Sequence, residues 1–204
     1  MSRIDDLLHT ALKTLPTKPP DSASREEKRA YSEQMSAKVA VAIADELRHR
    51  GMKEAHPSGP GDVGTSGAER RLAGGIGAKK VDVTWTTEES GLLLGISVKT
   101  INFRDGRSKN FQKNLTNRRG DMVGEALTLH RRFPYGVVAG FLFLDKDAKS
   151  DQTEQRKSTF EMPFLAFESL LDARTRQGET NNSSGSTCYL SMRTSSRRAS
   201  SATR

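Results

Sequence analysis

Residues 79–103 read KKVDVTWTTEESGLLLGISVKTINF. Val81, Val83 and Trp85 alternate with Asp82 and Thr84, the period of a β-strand with one apolar face. Further on, Leu94, Ile96 and Val98 share one face, while Gly95, Ser97 and Lys99 share the other. Between the two runs, residues 87–91 are rich in turn formers and interrupt both patterns. A turn near Glu89 or Ser90 pairs the strands so that Asp82 lies opposite or diagonal to Ser97, roughly 5–7 Å away. One polar face then holds a carboxylate, a hydroxyl and an ammonium, backed by an apolar face.

The flanking segments supply helices and one further strand. In residues 2–15, Ile4, Leu7, Leu8, Ala11, Leu12 and Leu15 make one helical stripe, ended by Pro16, Pro19 and Pro20. A longer helix starts at Ser22 or Ser24 and runs to about Arg50. The Ser24–Glu27 spacing fits a capping box, and Gly51 fits a C-terminal stop. Val39, Ala40, Ile43, Ala44 and Leu47 give it a core-facing side. Residues 52–67 read as loop and residues 68–73 as a short element of unassigned type.

Gly74-Gly75-Ile76-Gly77 precedes a strand and lacks the GK[ST] ending, which excludes a nucleotide phosphate loop. Residues 104–113 read as a polar loop and residues 114–132 as a helix, with Met122, Val123, Ala126, Leu127 and Leu129 on its apolar side. His130 falls near its end, where a favourable dipole contact is expected. Residues 135–144, YGVVAGFLFL, read as a buried central strand. A polar linker over residues 145–157 and a last helix over 159–171 follow. After Asp172 Ser, Thr, Asn and Gly dominate, and Arg174, Arg176, Arg193, Arg197, Arg198 and Arg204 face the single acid Glu179. This tail reads as disordered, with a basic arm holding DNA as the other reading.

The chain has 204 residues, 34% hydrophobic, with a formal net charge of +8. That balance favours a polyanionic partner, nucleic acid first and an anionic membrane surface second. Its single cysteine, Cys188, excludes an intramolecular disulfide framework and a Cys-rich zinc site. No run has the character of an export signal or a membrane span, so a cytoplasmic protein is expected.

The order helix, strand with Asp, strand with x-Lys, helix, long apolar strand resembles the PD-(D/E)xK superfamily, specifically type II restriction endonuclease-like proteins. Val81-Asp82-Val83, Ile96-Ser97-Val98-Lys99 and the helix start Asn114-Leu115-Thr116-Asn117-Arg118-Arg119 carry the resemblance. It implies an α/β fold with a restriction-endonuclease-like core, a mixed β-sheet flanked by helices, over residues 22–171. An N-terminal helix and Pro-rich linker (1–21) would precede it and a disordered basic tail (172–204) would follow.

The implied function is Mg²⁺-dependent, site-specific cleavage of double-stranded DNA by a homodimer, with a cognate DNA methyltransferase encoded nearby. Phosphodiester hydrolysis needs an activated water and charge neutralisation on the phosphate, both of which Mg²⁺ supplies. By the resemblance, Asp82 and the Val98 carbonyl bind the metal and Lys99 orients or deprotonates the water. Ser97 departs from the pattern, since a hydroxyl stands where a second acid is usual. A glutamate from elsewhere would then restore the charge, with Glu69, Glu125 and Glu46 as candidates in that order.

Asn114, Asn117 and Arg118 could reach base edges, because amide and guanidinium groups make bidentate base contacts. Arg119, Arg131 and Arg132 could join them or form a solvated face. Two rival readings remain: a non-catalytic DNA-binding protein on a decayed nuclease scaffold, and a structure-selective nuclease such as a junction resolvase.

Overall fold

A computed structural model describes residues 2–59, 71–74, 77–162 and 189–195, with backbone alone at 71–74, 77–80 and 189–195. Helix α1 (Arg3–Lys13) is followed by α2 (Arg25–His49), whose N-terminus carries the expected capping box. The Glu27 amide donates to Ser24 Oγ at 3.1 Å, and the Ser24 amide donates to Glu27 Oε2 at 2.9 Å. These bonds satisfy orphan donors at the helix start. At the other end Gly51 takes φ +97, the left-handed conformation that ends a helix at low cost.

The main sheet has the order β1-β4-β5-β6-β7. Its strands are β1 (Ala55–His56), β4 (Val83–Thr87), β5 (Gly91–Ile101), β6 (Val137–Asp145) and β7 (Tyr189–Ser195). β1, β4 and β5 pair antiparallel in that order, and β5, β6 and β7 pair parallel, so the sheet is mixed. A separate hairpin joins β2 (Arg71–Gly74) to β3 (Gly77–Lys80). Helix α3 (Gln112–Arg132) forms the crossover between parallel strands β5 and β6. This is an α/β fold with a mixed sheet flanked by helices.

The two faces of β5 separate as its alternation predicts. Ile96 and Val98 join Val83, Ala139 and Phe143 in one cluster with Val39, Ile43 and Ala44 of α2 and Leu8 of α1. Leu15 belongs to the same cluster, so the segment preceding residue 22 packs into the core. On the other face, Ile101, Leu142 and Leu144 pack with Phe111 and Leu115 at the start of α3. Toward the opposite end of α3, Leu129 packs with Val81, Leu92 and Val138.

Several expectations from sequence are corrected. Residues 79–85 are not one strand, because β3 ends at Lys80, residue 82 lies in a bend and β4 begins at Val83. The bend places Val81 on the α3 face and Val83 on the α1–α2 face, although their spacing assigned them to one side. A register shift between Trp85 and Thr86 leaves Leu93 as the extra residue on β5. It turns Leu92 toward α3 while Leu94 packs on the α1–α2 cluster. Leu127 is 61% exposed and does not join the apolar side of α3, whereas Leu115 is buried.

The segment read as loop before residue 68 contributes β1, and the linker after β6 opens with a 3₁₀ turn, Lys146–Lys149. In the tail expected to be disordered, Tyr189–Ser195 pair with β6 as an edge strand. Backbone ladders need no apolar composition, and β6 would otherwise present an open edge. The rest of the tail, and most of the helix expected over 159–171, lie outside the described residues.

Candidate active site

Ser97 and Lys99 project from β5 toward α3, and Glu125 of α3 meets both. Ser97 Oγ donates to Glu125 Oε2 at 2.6 Å, and Lys99 Nζ donates to Glu125 Oε1 at 2.7 Å. Lys99 and Glu125 side chains are each 16% exposed, so this ion pair is largely withdrawn from water without being sealed. Charge-assisted bonds of this length are about twice as strong as neutral ones.

Asp82 reaches the edge of β5 at the level of Ser97 and Val98. Its Oδ2 accepts the Val98 amide at 2.7 Å. The β4–β5 register, continued by one pair beyond Val83–Ile96, places Asp82 beside Ser97. Because the chain bends there, a side-chain carboxylate occupies the ladder position a backbone carbonyl would otherwise take. In a strand the N–H and C=O of one residue point to the same edge. The Val98 carbonyl therefore faces the edge on which Asp82 lies.

The helix reaches the sheet this closely because of Gly140. Gly140 pairs with Ser97 across β5 and β6. A Cβ at Gly140 would overlap the terminal methyl of Met122, which occupies that dimple. Met122 is one helical turn before Glu125 and shares its side of α3. Sequence reading missed this pair. Its signal is a glycine inside an apolar central strand, which marks close approach of another element.

Of the two candidate glutamates among the described residues, Glu125 is the one that meets Ser97 and Lys99. Glu46 is directed away, bonded at 2.8 Å to Arg3 and at 2.7 Å to Arg50. The Arg3 contact, followed by Arg50, holds its carboxyl below the usual range. Its charge serves the α1–α2 junction, which corrects its candidacy. Glu69 lies outside the described residues. Among the described residues no three His, Cys, Asp or Glu side chains converge as a metal cluster. The donor set is two carboxylates, Asp82 and Glu125, and the Val98 carbonyl. All are hard oxygen donors, and Mg²⁺ is commonly held by one or two carboxylates with waters and substrate phosphate oxygens completing six ligands.

The side chains expected to meet DNA are differently placed. Asn114 Nδ2 donates to the Phe103 carbonyl at 3.3 Å, tying α3 to the end of β5. Arg118 pairs with Asp121 at 3.3 Å, and the Arg132 guanidinium lies 5.6 Å from the Phe133 ring centroid. Asn117 is exposed and Arg119 partly buried. The chain matches no protein-family profile, no curated protein and no solved structure.

Proposed function

We propose that this domain is a restriction-endonuclease-like, Mg²⁺-dependent nuclease that hydrolyses phosphodiester bonds of double-stranded DNA. The observation that carries the reading is Glu125, which supplies a carboxylate beside Ser97, where the x-Lys motif lacks its second acid. Asp82, Glu125 and the Val98 carbonyl would hold Mg²⁺. When bound, the cation would offset phosphate charge and make a water nucleophilic near neutral pH. Lys99 would hold that water in line with the phosphorus and place its charge on the phosphate oxygens, where negative charge grows in the transition state. Each such centre would cut one strand, so a homodimer would complete a double-strand break.

One observation favours the rival reading, a DNA-binding scaffold without hydrolysis. Both Glu125 oxygens and Asp82 Oδ2 already accept hydrogen bonds from the chain's own groups. A supercoiled-plasmid assay with Mg²⁺ separates the two. Nicking that is lost in Asp82→Ala and Lys99→Ala supports the nuclease. Salt-sensitive duplex binding with no nicking by the wild type supports the scaffold.

A further inference from the structure

We infer that the loop joining β5 to α3, with Arg107 and Lys109 at its tip, is the element that grips the phosphate backbone of duplex DNA. The inference rests on the DNA-binding part of the function proposed above, and it replaces α3 as the expected contact surface.

Charge is the first reason. Residues 104–113, RDGRSKNFQK, hold four bases and one acid in a chain of net charge +8. That acid, Asp105, is consumed within the loop. It accepts the Arg107 amide at 3.1 Å, the Ser108 amide at 2.9 Å and Ser108 Oγ at 3.1 Å, and it pairs with Lys113 at 3.3 Å. Arg104 is held by Asp147 at 3.3 Å and lies 5.6 Å from the Phe111 ring centroid. Arg107 and Lys109 are exposed, and no carboxylate among the described residues pairs with either.

Order is the second. The Asp105 amide donates to the Asn110 carbonyl at 2.8 Å, and the Lys109 amide donates to the Asp105 carbonyl at 3.0 Å. A loop closed in this way loses little further freedom when a ligand arrives. Lys109 has φ +54, and among the described residues no other non-glycine residue has a positive φ. Glycine would sit there without strain but would carry no charge. Strained backbone of this kind is found at ligand clamps, where the side chain is what is needed.

Position is the third. Phe103 is four residues beyond Lys99, so the loop begins within about 14 Å of the proposed site. A duplex carries one phosphate charge per ~1.7 Å of axis, so one seated at Lys99 offers the loop several. Three of the α3 candidates are otherwise engaged: Arg118 with Asp121, Arg132 with Phe133, and Asn114 with the Phe103 carbonyl.

The test uses the full chain and a fluorescein-labelled duplex of about 30 base pairs in EDTA, read by anisotropy from about 50 to about 200 mM KCl. Each lost phosphate contact lowers the slope of log Kd against log salt by roughly 0.9. Arg107→Ala/Lys109→Ala is expected to lower it by about 1.8, so its gap from wild type narrows roughly twelvefold over that range. Arg118→Ala/Arg119→Ala should leave the slope unchanged. Lys109→Gly separates contact from folding, because it should lose about 0.9 in slope while Tm holds or rises.

The inference is overturned if the double loop variant keeps the wild-type slope, or if the loss falls on Arg118 and Arg119 instead. A wild type that shows the expected slopes but never nicks plasmid removes the nuclease reading and leaves the loop's role standing. A wild type that binds no duplex overturns both.

Discussion

The Lys99–Glu125 pair makes a quantitative prediction about stability. At 2.7 Å and an effective dielectric near 20, the bare attraction is about 6 kcal/mol. Desolvation of both ions offsets most of it. Exposed pairs are worth about 0–1 kcal/mol, and breaking a fully buried pair costs about 3–5 kcal/mol. With each side chain 16% exposed, the pair belongs between these limits, at about 2 kcal/mol.

Glu125→Gln tests this cleanly, because the amide oxygen still accepts from Ser97 while the charge is gone. At roughly 2–4 °C per kcal/mol for a chain of this size, Tm should fall by about 4–8 °C. Lys99→Met strands the carboxylate and should cost a similar amount. The double variant should lose much less than the sum of the two. Urea unfolding of all four proteins gives the coupling energy, expected near 2 kcal/mol. A coupling below about 0.5 kcal/mol would refute the claim that α3 delivers Glu125 onto β5 as a buried charge partner.

Three further outcomes are expected. Gly140→Ala should cost about 1–3 kcal/mol by driving a methyl into Met122, and Gly140→Ala/Met122→Ala should recover part of it, as measured by urea unfolding. If Asp82 and Glu125 hold Mg²⁺, a cation concentration ten times its Kd should stabilise the wild type by about 1.4 kcal/mol. A thermal melt should then rise by roughly 3–6 °C, with no rise in Asp82→Ala or Glu125→Ala.

The third outcome concerns Asp105. The Ser108 amide, with those of Arg107 and the Ser108 hydroxyl, lowers its pKa from 3.8 to about 2. A depressed carboxyl pKa stabilises the fold above the unfolded value, and that contribution fades as pH falls through the folded one. Protection of the Arg107 and Ser108 amides from exchange should therefore be steady above about pH 5 and decline toward pH 2. A carboxyl resonance titrating near 4 would contradict this.

How much of this was legible in the sequence follows from the kind of signal each part uses. Helices α1 and α2 announce themselves through apolar spacing and the Ser24–Glu27 box, both local features. The faces of β5 were equally plain beyond Gly95, because strict alternation places Ser97 and Lys99 together. Before Gly95 the reading failed, since the bend at Asp82 and the extra residue Leu93 each reverse the parity that pattern counting assumes. Glu125 was one of three candidates because its partner lies 28 residues away and only the depth of α3 on the sheet decides contact. That depth is set by Gly140 and Met122, a tertiary fit with no periodicity to reveal it. β7 was hidden because it lies within a Ser/Thr/Arg-rich tail and its pairing is a backbone property.

The most direct measurement is the rate at which Glu125→Ala nicks supercoiled plasmid in Mg²⁺, compared with wild type and Glu69→Ala at matched DNA occupancy. If Glu125 is the acid that Ser97 lacks, wild type nicks, Glu125→Ala is slower by at least about 100-fold, and Glu69→Ala stays close to wild type. A Glu125→Ala protein that nicks at the wild-type rate would contradict the assignment, whatever its effect on stability.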